Sequence, residues 1–275
     1  MLMSRLLGLL FLNFILIPVL CLCLLGSQWI NQAKARILHK KFFDLCMWVL
    51  SLCVCGIRGV RIHQHLSSNM PAGPVVVICN HQSGMDVWLL MILMHQCYGD
   101  FRFILKDSLK WFPGFGWYSY LMGYPFTRRA RISELKADKR LRGVEKAAII
   151  EAINRDKNNP LAWCCFPEGT RLNKGRSNGS FRHVQEPKIG SFLQYIQALD
   201  YNVKVIDVTI AYRIQPCSIL RLLYEPKHMG DIWLDVVDIN ANMDRKGLRE
   251  LLLNLWNKKD ARLSRYEKKE RVDVG

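Results

Sequence analysis

Residues 74–86 read PVVVICNHQSGMD. The first six form an unbroken, β-branched run, the pattern of a strand covered on both faces. Polar and glycine residues follow at once, and a stretch over 83–97 then reads as a helix. A buried strand feeding a helix through a tight polar loop is the repeating unit of an α/β sheet, which binds its ligands just beyond the carboxyl ends of the strands. The loop holds an imidazole and a carboxylate. His81 leaves the strand on a turn containing Gly84, and Asp86 enters the first helical turn, so the two side chains can converge. A carboxylate beside an imidazole fixes its tautomer and stabilises its protonated form, which makes a general base able to strip a hydroxyl proton. The same letters contain Ser83-x-x-Asp86, a helix-capping pattern in which Asp86 only satisfies amides. A spacing this short recurs by chance, so the loop alone leaves both readings open.

Strand and helix candidates continue on the C-terminal side. FRFILK (101–106), LAWCCF (161–166), VKVIDVTIAY (203–212), SILRLLY (218–224) and IWLDVVDI (232–239) read as strands. An amphipathic helix is expected over 132–155 and a terminal helix over 248–266. The fold class is therefore α/β, a mixed sheet flanked by helices, with no internal repeat and no low-complexity linker. A chain of 275 residues holds one such domain, placed at 61–275, and an appendage at 1–60.

The appendage begins with LLGLLFLNFILIPVLCLCLL (6–25), which carries no charge. Twenty helical residues span roughly 30 Å, the thickness of the hydrocarbon core. No small-residue cleavage site follows before Trp29, so the segment reads as a retained membrane helix, disturbed at Pro18. A second apolar run, LCMWVLSLCVCGI (45–57), is too short to span alone. Lys34, Arg36, Lys40 and Lys41 lie in the linker between the two runs, where anionic headgroups can contact them, and Arg58 and Arg61 follow the second run. This favours a helical hairpin dipping into the cytoplasmic leaflet over an ordinary two-span topology, which stays open.

The formal net charge is +16, and half of the residues are hydrophobic. Disordered and collagen-like classes are excluded, and the surplus calls for a membrane surface, an anionic substrate or a polyanion. The ten cysteines lie mainly in apolar runs, as small buried hydrophobes of a reducing compartment, and none stands at zinc spacing.

FPEGTR (166–171) again follows a buried strand. Gly169 allows a tight turn, Thr170 offers a hydroxyl, and Arg171 can grip a phosphate with two parallel hydrogen bonds. The plainer alternative is a strand-ending turn with a Glu168–Arg171 ion pair. GYPFTR (123–128) reads as a short strand ending in Arg128, and KDSLKWFPGFGW (106–117) couples basic residues to an aromatic, turn-rich loop suited to an interface. Lys106 and Arg128 can add charge to a phosphate pocket, but individually a solvated basic face explains them better.

Taken together, the chain resembles the glycerolipid acyltransferase family (PlsC-like 1-acylglycerol-3-phosphate acyltransferases) over about residues 40–225. NHQSGMD matches the NHxxxxD block, GYPFTR the second block and FPEGTR the third, in the same order. VTIAY (208–212) is similar to the fourth block without its common proline. LWNKKDARLSRY (255–266) resembles the branch containing lysocardiolipin acyltransferases and their bacterial relatives. The resemblance implies that His81 acts as general base on the hydroxyl of a lysophospholipid and that Asp86 orients it. It further implies that Arg171, with Gly169 and Thr170, holds the acceptor phosphate, that Glu168 shapes that phosphate-binding loop or touches the acceptor hydroxyl, and that Arg128 and Lys106 assist phosphate binding. The donor would be acyl-CoA or acyl carrier protein, with no metal or organic cofactor. The implied acceptor is 1-acyl-glycerol-3-phosphate, giving phosphatidic acid, with lysocardiolipin or another lysophospholipid as the alternative. The implied location is a membrane, as in the bacterial inner membrane, with the catalytic domain facing the cytoplasm. A membrane-tethered nucleic-acid-binding or regulatory protein is the reading from another class, but no helix-turn-helix, zinc finger or RNP-like block supports it.

Overall fold

A computed structural model describes residues 2–26, 32–55, 65–66, 70–127, 143–156, 159–172, 180–213, 230–240 and 242–272. The chain divides into two compact units, residues 1–57 with 102–155, and residues 58–101 with 156–275.

In the first unit, helices α1 (Leu2–Phe11) and α2 (Ile17–Gly26) are joined by a π turn, Leu12–Leu16. Pro18 has no N–H for the carbonyl four residues back, and the ladder changes register just before it, with Ile17 N–H donating to Leu12 O. Met3–Gly26 is the one helix among the described residues that is long and apolar enough to cross a membrane. The second apolar run is no separate short helix. Its residues 45–55 form the C-terminal half of α3 (Gln32–Cys55), a helix of 24 residues that also takes in the cations expected in a linker. A run of good helix formers, 33–42, continues into the apolar run without a Gly or Pro to stop it. α3 packs on α1 and α2. The approach is close at Gly8, where a Cβ would stand 2.5 Å from Cys53 Sγ.

The same unit holds β4 (Leu105–Lys106), paired in parallel with β5 (Phe126–Thr127), and helices α5 (Phe115–Leu121) and α6 (Val144–Asp156). The run expected as one strand over 101–106 is split. Its first half is β3 (Phe101–Phe103) in the large sheet, whereas Leu105 N–H turns to Pro125 O at 2.9 Å. The helix expected from 132 is described only from Val144. Arg58, Arg61, the 218–224 strand and Arg128 lie outside the described residues.

The second unit is built on a mixed six-stranded sheet in the order β1-β8-β7-β2-β6-β3. β1 is His65–Leu66, β2 Val75–Cys79, β6 Ala162–Cys165, β7 Lys204–Tyr212 and β8 Gly230–Asp238. β2 lies parallel to both β6 and β7, and β7 is antiparallel to β8. Every residue of β2 and β6 is buried, as continuous apolar runs covered on both faces require. Cys79, Cys164 and Cys165 are among them, and burial pushes their thiols up, that of Cys165 to about 12. Helix α4 (Met85–Tyr98) buries residues around most of its circumference and stops at Gly99, whose φ is +74°.

Helix α7 (Ile189–Ala198), absent from the expected elements although Ile189, Phe192, Leu193 and Ile196 fall at helical spacing, packs Phe192, Tyr195 and Ile196 against β2 and β6. Helix α8 (Arg245–Val272) runs 28 residues and lies on β7 and α7. Its buried stripe is Leu248, Leu252, Leu255, Trp256, Lys259, Leu263 and Tyr266, a helical repeat containing one cation. Lys259 Nζ lies 2.5 Å from Asp207 Oδ1 and donates to Val208 O. Burial pushes the Asp207 carboxyl up and Lys259 opposes that shift. Lys259→Met strands the Asp207 charge and is expected to cost about 3–5 kcal/mol. The Asp207→Leu/Lys259→Met pair recovers most of that loss in a denaturant titration, because no buried charge then lacks a partner.

Candidate active site

β2 and β6 are parallel and in register, with Val77 opposite Cys164 and Ile78 opposite Cys165. Their carboxyl ends coincide, so NHQSGMD and FPEGTR emerge side by side. The two loops are fastened directly. Leu172 N–H donates to His81 O at 2.8 Å, and His81 N–H donates to Glu168 Oε1 at 3.2 Å. On the other flank, β7 runs four residues past the end of β2, since Cys79 stands opposite Val208 and the strand ends at Tyr212. Asn80 extends the ladder with its side chain, donating from Nδ2 to Ile210 O at 2.9 Å and accepting from Ile210 N–H at 2.8 Å.

The structure brings His81 and Asp86 together. Asp86 Oδ2 lies 2.9 Å from His81 Nδ1 and also accepts the amides of Gln82 at 2.7 Å and Ser83 at 2.8 Å. Its other oxygen accepts the Tyr212 hydroxyl. The capping reading and the base-orienting reading therefore describe one carboxylate. The amides it satisfies belong to the loop that presents His81. With a buried carboxylate on Nδ1, the proton of neutral His81 belongs on that nitrogen and Nε2 keeps its lone pair. The ring stacks on Phe166 at 4.3 Å between centroids, and the side chain stays 14% exposed. It is held on one side and reachable by substrate on the other.

Glu168 does not pair with Arg171. Besides the His81 amide, its Oε1 accepts the Trp256 indole N–H at 3.3 Å, and Oε2 is buried. Burial pushes its carboxyl up to about 8, against the opposing pull of the His81 and Gln185 amides, the Trp256 indole and Lys259. Near neutral pH it is largely a neutral acid. Gly169 has φ +74°, a left-handed turn that favours glycine. Thr170 Oγ donates to Gln185 Oε1 at 3.1 Å, and Gln185 in turn donates to Arg171 O at 2.6 Å. Arg171 is exposed, and its guanidinium makes no ion pair among the described residues. Lys106 is exposed on β4 of the first unit. Among the described residues no three His, Cys, Asp or Glu side chains gather as a metal site.

Tyr212 and Trp256 are the site residues that sequence reading missed. Tyr212 closes VTIAY and lies 126 positions from Asp86, and Trp256 lies 88 positions from Glu168. No local pattern signals either contact.

A base–carboxylate pair at the end of a parallel strand beside a glycine turn with a free-standing arginine is an arrangement suited to group transfer onto a hydroxyl. Comparison with known proteins assigns the chain to a class. The Acyltransferase family profile matches residues 61–216, and the chain belongs to that family. Lysocardiolipin acyltransferase 1 of Mus musculus is 29% identical over 219 residues, covering 72% of this chain and 54% of that protein. The 1-acyl-sn-glycerol-3-phosphate acyltransferase of Saccharomyces cerevisiae is 29% identical over 156 residues, covering 53% and 47%. The chain thus spans about half the length of these relatives. The crystal structure of the 1-acyl-sn-glycerophosphate acyltransferase PlsC from Thermotoga maritima shares the fold, with a TM-score of 0.57, 22% identity and coverage of 95% of this chain and 97% of that one.

The raised Glu168 carboxyl makes stability depend on pH. Between about 4.5 and about 8 the folded protein holds a proton that the unfolded chain has released, so stability falls as pH rises through that window. Glu168→Gln keeps the shape and the acceptor oxygen without titrating. Its unfolding midpoint is expected to change less over the same pH range than the wild type's, and an equal slope in both proteins removes Glu168 as the cause. Trp256→Phe removes one donor to Glu168 and is expected to extend the dependence to higher pH, because the charged form loses support and the folded-state carboxyl rises further.

Proposed function

We propose that the chain transfers a fatty acyl group from an acyl thioester, acyl-CoA or acyl carrier protein, to the free hydroxyl of a lysophospholipid, with 1-acyl-glycerol-3-phosphate the first candidate acceptor. The observation that carries this reading is the buried Asp86 on His81 Nδ1 in a chain of the acyltransferase family. His81 Nε2 takes the hydroxyl proton as the oxygen attacks the thioester carbonyl. Asp86 stabilises the imidazolium that forms, and the proton passes to the departing thiol, so the base is restored. The thioester is already activated and needs no further cofactor. Arg171 binds the acceptor phosphate, with Gly169 and Thr170 shaping its turn. Lys106, in the other unit, and Arg128, outside the described residues, carry no part of this reading.

The acceptor and product are membrane lipids, and Met3–Gly26 supports a membrane location with the site on the cytosolic side, where the donors are found. Lysocardiolipin is the second acceptor, favoured by the Mus musculus relative of that name, which matches at the same 29% identity as the Saccharomyces cerevisiae 1-acyl-sn-glycerol-3-phosphate acyltransferase. Membranes containing the protein, incubated with labelled acyl-CoA and a panel of lysophospholipids, identify the acceptor by its acylated product. His81→Ala is expected to lower turnover about 10²–10⁴-fold without loss of expression, and a wild-type rate overturns the assignment. Arg171→Ala is expected chiefly to raise the KM for phosphate-bearing acceptors. An effect confined to the donor reassigns this arginine.

A further inference from the structure

A cavity of about 670 Å³ lies within the first unit and takes no part in the chemistry above. Its walls are almost wholly apolar. One is α2, through Leu22 and Leu25, and the other is the 107–121 segment, through Trp111, Trp117, Tyr120 and Leu121. The volume falls in the range of about 300–1,000 Å³ that small-molecule sites occupy.

The second wall is fixed to the membrane-helix candidate by a polar lock. Asn13 lies in the π turn, halfway along Met3–Gly26. Its Nδ2 donates to Pro113 O at 2.9 Å, and its Oδ1 accepts Phe115 N–H at 3.2 Å. Gly114, between them, has φ +79°, and a Cβ there would come within 2.0 Å of Asn13 O. A polar side chain within the uncharged stretch 6–25 thus holds an aromatic loop level with the middle of that helix. Apart from the buried Tyr118, the loop leaves most of its ring surface exposed in return. Trp111 is 75% exposed and Tyr120 64%, while Leu22 on the opposite wall is 67% exposed. Phe14 and Phe112 continue the face, with ring centroids 6.4 Å apart.

We propose that the cavity is a binding site for a hydrocarbon chain of a bilayer phospholipid, and that residues 107–121 lie in the same lipid leaflet as the adjoining part of the helix. The proposal rests on the membrane location argued above. Whatever surrounds Met3–Gly26 also fills the mouth of the cavity, because the mouth opens between that helix and side chains exposed beside it. Charge argues for a bilayer lipid over the acyl donor. The one cation on the lining, Lys110, is already answered by Asp107 at 2.8 Å, which leaves no unpaired cation on this lining for a multiply anionic thioester.

The test uses the full chain in phosphatidylcholine vesicles doped with a phosphatidylcholine carrying a photoreactive diazirine in its acyl chain. Flotation with the vesicles is read first. After irradiation, labelling of peptides 18–25 and 107–121 is compared with labelling of the exposed face at Leu7 and Leu10, which meets lipid without a cavity. Preferential labelling of the cavity peptides is expected. It should be lost in Leu22→Trp, which fills the cavity from the α2 wall, and in Leu121→Trp, which fills it from the other, with flotation unchanged in both. Failure of the wild type to float overturns the membrane location and the site with it. Flotation with equal labelling everywhere overturns the site alone, as does labelling untouched in both variants. Labelling abolished by excess long-chain acyl-CoA transfers the cavity to the donor and also overturns the proposal.

Discussion

The Asp86 carboxylate is the contact on which the catalytic unit depends. It is fully buried and accepts from the Gln82 and Ser83 amides, the Tyr212 hydroxyl and the His81 ring. A buried carboxylate is tolerated only when its oxygens are satisfied, and here the donors that satisfy it are parts of the site itself. The loop amides bend the chain so that His81 points back toward α4, and Tyr212 ties that loop to the overrun of β7. The orientation of the base and the tie between its loop and the end of β7 are consequently one arrangement, not two.

A second constraint comes from α8. The buried Lys259 on its inner stripe joins the helix to β7 at Asp207 and Val208, and one turn earlier Trp256 reaches Glu168. A helix that would otherwise only cover the sheet thereby supports the loop following β6. Glu168 passes that support on through its bond to the His81 amide. Its protonation is decided by burial more than by any neighbour, so the loop is held largely by a neutral acid near neutral pH.

The first unit solves a different problem. Helix formers and an uncharged run make a helix long enough for a bilayer, yet Pro18 breaks its regular ladder and places Asn13 in a π turn. That irregularity lets a polar side chain leave the helix and hold the Pro113–Phe115 turn. The basic stretch at 34–41, read from the sequence as a linker, continues a helix instead, because nothing in it stops one. The FRFILK run, read as a single strand, serves two sheets because Leu105 finds its partner at Pro125.

Local composition was enough to show the strands at 74–79, 161–166 and 203–212, the apolar N-terminal helix, and the residue types of the reaction, His81 and Asp86 in one loop and Glu168 to Arg171 in another. Each of those signals lies within a dozen consecutive residues, where side-chain alternation, β-branching and turn chemistry act directly on the backbone. Tertiary structure decided which alternative each motif took. In-register parallel pairing of β2 with β6 set the two loops side by side, and the overrun of β7 delivered Tyr212. The packing of α8 gave Glu168 a tryptophan in place of the arginine three residues away. These contacts join positions about ninety to more than a hundred residues apart, and strand order and register, which leave no local trace in the sequence, determine them.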